Sequence, residues 1–169
     1  MPKSDYGKWY ARISAPWRLH PGAVRLLNIL DKGLVYAIAV CYIACLAWLA
    51  ASGDNRFILT LAVPAIEFVL CTALRAGMNR PRPYEQFSID PLIRKDTQGK
   101  SFPSRHISSA VIIACALFWL QPVAGIVAFA ASAIVCYCRI VGGVHFPRDV
   151  AGAVALALAC GLVGFVLIP

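Results

Sequence analysis

The chain has 169 residues, 60% of them hydrophobic and only 14% charged, and its mean hydropathy is +0.70. Soluble domains run at about 45–50% apolar and about 25% charged, so much of this surface must meet an apolar solvent, and the length suits a single domain, residues 1–169. The net charge of +8 flanks apolar segments and comes with no nucleic-acid-binding motif, which argues against nucleic acid and for membrane lipid or an anionic headgroup as partner.

In chain order, the residues up to Gly22 are basic but lack the apolar stretch of a signal peptide. Trp9, Tyr10 and Trp17, with Trp48 and Trp119 further on, read as interface anchors. Residues 21–32 carry an apolar stripe with charges at Arg25, Asp31 and Lys32, which predicts an interfacial amphipathic helix closing an N-terminal interfacial segment, 1–32. A bilayer core about 30 Å thick needs roughly 20 helical residues. Residues 33–52 are uncharged and form the first span, and Ser52-Gly53-Asp54-Asn55 is turn chemistry. The second span, 57–74, is interrupted only by Pro64 and Glu67. An intramembrane carboxylate is either a buried hydrogen-bonded group or a wall of a lipid-tail cavity. Residues 77–103 are polar and form the one long loop, read as an active-site loop because long loops in compact proteins are usually functional.

Residues 107–138 carry no charge and are too long for one crossing. Gln121-Pro122 divides them into helices at 104–120 and 122–141, since proline cannot continue the preceding helix. Residues 150–167 make a fifth span. The expected architecture is all-α: a multi-pass transmembrane helical bundle of five spans plus the N-terminal amphipathic helix. Small residues such as Gly125, Gly161 and Gly164 would pack its last three spans. The seven cysteines read as small buried hydrophobes, and no zinc or haem signature appears.

Five crossings place Arg75, Arg82, Ser104, Arg105, His106, Arg139, His145 and Asp149 at one membrane face. Arginine offers a planar fork suited to phosphate oxygens. Ser104 stands where a helix begins, so its hydroxyl and the free amides after it can meet an anion. Pro147 suits a first helical position, which sets His145 on the turn above Asp149. That carboxylate can hold the imidazole as an activated nucleophile, and His106 can protonate a departing oxygen. Arg80, Arg94, Lys95, Lys100 and Arg148 read as snorkelling anchors.

The blocks RAGMNRPRP from Arg75, PSRH from Pro103 and CRIVGGVHFPRD from Cys138 resemble, in order and spacing, the motifs KX6RP, PSGH and SRX5HX3D of the type 2 phosphatidic acid phosphatase family. The resemblance implies an integral membrane lipid phosphatase that needs no metal or other cofactor. His145 would form a phosphohistidine, Asp149 would orient it and His106 would be the general acid. Arg75, Arg82, Ser104, Arg105 and Arg139 would cradle the phosphate. The substrate would be a lipid monophosphate or diphosphate of polyprenyl diphosphate, phosphatidylglycerophosphate or phosphatidic acid type. A phosphotransferase using the same intermediate is the alternative, and a non-enzymatic transport or scaffold module leaves the blocks unexplained.

Three positions depart from the motifs. Arg75 replaces lysine, Cys138 replaces serine and Arg105 replaces glycine. Arg105 either reads a second anionic group, such as the distal phosphate of a diphosphate, or points into the membrane interface. Of the sixteen Lys and Arg residues, only Arg56 falls on the opposite face. The positive-inside rule therefore puts the site on the cytoplasmic face of the plasma (inner) membrane, whereas the resemblance implies an outward site for many bacterial members.

Overall fold

In hydrocarbon every backbone polar group must find a partner within its own segment, and helices do this. The computed structural model describes residues 3–168; Met1, Pro2 and Pro169 of the expected domain lie outside the described residues. The chain runs through α1 (Lys3–Arg18), α2 (Pro21–Ser52), α3 (Phe57–Met78), α4 (Pro83–Gln86), α5 (Arg105–Leu120), α6 (Pro122–Val141) and α7 (Pro147–Leu162). A π-helical turn, Val163–Leu167, extends α7. Helices α2, α3, α6 and α7 are long and apolar enough to cross a membrane, and α5 is a shorter apolar helix. The protein is a multi-pass helical membrane bundle.

With 16 residues, α5 is about 24 Å long at 1.5 Å per residue, less than a hydrocarbon core of about 30 Å. It can be short because it is central, packed by α6, α7, α3 and α2, so protein surrounds much of it. Ile107, Val111, Ile112 and Ala116 of α5 join Val63, Val135, Ala153 and Ala157 in the main core. Glycines permit the close crossings. A Cβ on Gly125 would lie 2.2 Å from Phe118 Cα, and one on Gly164 would lie 2.4 Å from Val63 Cγ2. Glu67 is fully buried and accepts a hydrogen bond from Ser108 of α5, the first of its two expected roles.

The N-terminal region differs from expectation. Residues 21–32 are not a separate interfacial helix but the start of α2, 32 residues long. Nothing breaks the helix between Pro21 at its first turn and the left-handed Gly53 (φ 65°) at its end. The surplus length lets Leu27 pack with Leu92, Ile93, Cys138, Val141 and Val144. Helix α1 was not anticipated, although Tyr6, Tyr10, Ile13 and Trp17 recur at helical spacing and supply its packed face. Tyr10 is therefore core, 2% exposed, rather than an interface anchor. Trp17 donates to the Tyr137 hydroxyl at 3.1 Å, and Trp119 stacks on Phe165. All seven cysteines are free, with Cys71 and Cys138 buried and Cys41 exposed.

The α5–α6 crossing yields a stability prediction. Gly125→Ala should destabilise the protein by about 1–3 kcal/mol, the usual effect of overpacking, and lower the thermal midpoint in detergent. Gly22→Ala, whose Cβ would meet nothing within 4 Å, should not lower it.

Candidate active site

The turn between α6 and α7 carries one half of the site. Gly143 has φ 75°, and a Cβ there would lie 2.7 Å from the Tyr10 hydroxyl, so glycine is required on both counts. The chain then enters α7 with Pro147 at the start, as its sequence predicts. Asp149 turns its carboxylate back, and Oδ2 accepts from the Phe146 amide at 3.0 Å and the Ser101 hydroxyl at 2.5 Å. His145 Nδ1 stands 3.8 Å from that oxygen and 3.4 Å from Ser101 Oγ. The direct contact is longer than a hydrogen bond, so Ser101 stands between imidazole and carboxylate. Burial lowers the His145 pKa to about 4; Arg82 and Arg139 add to the effect and Asp149 opposes it.

The loop after α3 supplies the other half, and its two ends are stapled together. The Ser101 amide donates to the Arg80 carbonyl at 2.8 Å. The Glu85 carboxylate takes the amides of Arg82 and Gly99 at 2.7 and 2.9 Å. This folds Arg82 inward to 5% exposure, with Nε donating to the Gly99 carbonyl at 3.1 Å and Nη1 to the Val144 carbonyl at 3.4 Å. Arg75, in the last turn of α3, donates to the Pro103 carbonyl at 2.6 Å, which ties the first block to the second. The Ser104 amide donates to the Asp149 carbonyl at 3.2 Å, which ties the second to the third. Arg105 extends α5 into the rim, its guanidinium 5.6 Å from the Phe68 ring centroid.

These elements enclose a cavity of about 430 Å³. Five of the anticipated residues line it: Arg75, Arg82, Arg105, His106 and His145. Ser104, Arg139 and Asp149 are buried outside the lining. Arg139 is 1% exposed, and its Nε lies 2.8 Å from Asp31 Oδ1 of α2. Ser104 Oγ and Arg139 Nη1 have no hydrogen-bond partner among the described residues.

Sequence reasoning missed four participants. Lys95 and Lys100 line the cavity rather than serving only as anchors, whereas Arg80 and Arg148 lie over the Phe102 and Phe146 rings. Ser101 sits two residues before the second block, and Asp31 is a lone carboxylate in an amphipathic stretch; neither stands in a spacing that would single it out. With five cations and no carboxylate in its lining, the cavity is built to receive an anion beside two imidazoles.

The family model described as the PAP2 superfamily matches residues 56–169, which include all three blocks. The chain belongs to the PAP2 superfamily. The PAP2 fold extends over nearly the whole chain. A crystal structure of LpxE from Aquifex aeolicus superposes with a TM-score of 0.73 at 24% identity, covering 93% of this chain and 92% of the other. A crystal structure of a transmembrane PAP2-type phosphatidylglycerolphosphate phosphatase from Bacillus subtilis gives 0.67 at 22% identity, covering 92% and 82%. Identities this low establish a shared fold. No curated protein matches the sequence.

The buried imidazole predicts a pH dependence of stability. The folded pKa of His145 lies near 4, below the ordinary histidine value of about 6.5, so between the two the unfolded chain binds the extra proton. The His145 contribution is therefore fully present above about pH 6.5 and is lost as the pH falls towards 4. Thermal midpoints in detergent should fall more steeply over that window for the wild type than for His145→Gln.

Proposed function

We propose that this PAP2 superfamily member is a membrane lipid phosphatase that removes a phosphate from a lipid monophosphate or diphosphate through a phosphohistidine on His145. The observation that carries this reading is that His106 and His145 line one cation-walled cavity in a bundle of membrane-spanning helices. The reacting phosphate lies between Arg75 and Arg82. Ser104 Oγ and Arg139 Nη1, buried without partners, supply further contacts as the anion settles, since charged hydrogen bonds to phosphate are the strong ones.

The neutral imidazole of His145 attacks phosphorus through Nε2, the ring nitrogen remote from Asp149. The N–P bond forms as the P–O bond to the lipid breaks, and His106 gives a proton to the departing oxygen. Asp149, with Ser101, holds Nδ1 and offsets the positive charge that develops on the ring. Water then attacks phosphorus, His106 takes its proton, and release of inorganic phosphate restores His145. The cations perform the charge stabilisation that a divalent ion performs elsewhere. Phosphatidylglycerophosphate, the lipid named for the Bacillus neighbour, stands among the candidate substrates with polyprenyl diphosphate and phosphatidic acid.

Two experiments test this reading. His145→Ala should reduce turnover by at least about a thousand-fold, as loss of a nucleophile does, in protein that remains folded in detergent. Wild-type activity should survive EDTA; loss on chelation with recovery in magnesium would contradict the mechanism.

Arg105, exposed at the rim, is proposed to read a second phosphate. Arg105→Gly should lower kcat/KM on a lipid diphosphate roughly ten- to a hundred-fold, the weight of one charge-assisted contact of about 1.5–3 kcal/mol. A matched monophosphate should change much less.

A further inference from the structure

Lys95 follows a stretch of the long loop that three other elements hold in place. The Leu92 amide donates to the Tyr10 hydroxyl at 3.2 Å, and the Leu92 carbonyl accepts from Asn28 Nδ2 at 3.4 Å. The Ile93 amide donates to the Gly142 carbonyl at 3.1 Å. Ile93 is 2% exposed, and its Cδ1 would lie 2.5 Å from a Cβ on Gly142. Helix α1, helix α2 and the turn that carries His145 thus fix the backbone from which Lys95 projects. Its side chain is half-buried and lines the same cavity as His106 and His145.

The charges around Lys95 leave it without a counter-ion of its own. Arg139 on α6, Arg82 on the loop and Arg75 on α3 act on it as like charges, and His106 on α5 is within reach of its field. The one carboxylate acting on it is Asp31 of α2, which is paired with Arg139 at 2.8 Å. Lys95 itself makes no hydrogen bond or ion pair among the described residues. An ammonium withdrawn from water among arginines is unfavourable until an anion joins them.

We propose that Lys95 is a further cation on the reacting phosphate. The proposal rests on the lipid-phosphatase reading above. It separates Lys95 from Arg105, because the groups that act on Lys95 are Arg75, Arg82 and Arg139, the cations assigned to the reacting phosphate. Burial, reinforced by Arg139 and Arg82, lowers the ammonium pKa to about 8. Its charge is therefore present at neutral pH and is lost as the pH rises through that value, where inorganic phosphate is already a dianion.

The test uses the full-length protein in detergent. It compares wild type, Lys95→Met and Lys95→Arg on matched lipid monophosphate and diphosphate, with inorganic phosphate as competitive inhibitor. Lys95→Met should lose about ten-fold or more in kcat/KM on both lipids and in phosphate affinity, the size of one charged contact. Lys95→Arg should retain affinity at pH 7 and abolish the weakening of phosphate binding that the wild type shows above about pH 8. Unchanged phosphate affinity in Lys95→Met would overturn the proposal, as would a loss confined to the diphosphate or a lowered thermal midpoint with binding intact. Should the wild type hydrolyse neither lipid, the phosphatase reading falls. Calorimetry with inorganic phosphate then decides Lys95 separately, and equal affinity in wild type and Lys95→Met overturns it.

Discussion

Like charges crowded beside hydrocarbon repel more strongly than in water, and the site gathers five cations around one cavity. Neutral acceptors hold two of them in place. Arg75 donates to the Pro103 carbonyl, and Arg82 donates to the carbonyls of Gly99 and Val144. The carboxylates nearby are kept out of the lining and given other work. Asp31 pairs with Arg139, Glu85 binds loop amides, and Asp149 receives the Phe146 amide and Ser101. Carboxylates turned inward would neutralise the cations and repel a phosphate. The arrangement leaves the charge of the cavity uncompensated by any lining carboxylate.

The parts of the fold outside the membrane follow from that need. A loop carrying so many cations must be clamped by elements that reach above the bilayer. The overhang of α2 and the added helix α1 do this through Asn28, Leu27 and Tyr10. The central helix α5 can then remain short, presenting Ser104, Arg105 and His106 at its N-terminal end while its remaining turns form the core.

The spans were legible because long uncharged runs and their breakers are local signals. Gly53, Gln121-Pro122 and Pro147 each mark a boundary in the structure. The blocks were legible because arginines and histidines gathered at the ends of apolar runs stand out in sequence, and Arg75, Arg82, Arg105, His106 and His145 do meet in one cavity. Asp31, Ser101 and Lys95 were not legible, because their roles depend on closures between distant segments. Ser101 reaches Asp149 across 48 residues while the Arg80 carbonyl holds its amide. Helix α1 was hidden by a polar composition with Gly7 and Pro16 inside it, and its aromatic face has meaning only against Phe87 and Phe146.

The most direct test of the account is to trap the intermediate. Purified protein would be mixed with a lipid phosphate radiolabelled at the reacting phosphorus, quenched in alkali within milliseconds, digested and mapped. The account predicts acid-labile, alkali-stable label on His145 and on no other side chain. Label on His106, on a serine or on a carboxylate would contradict it.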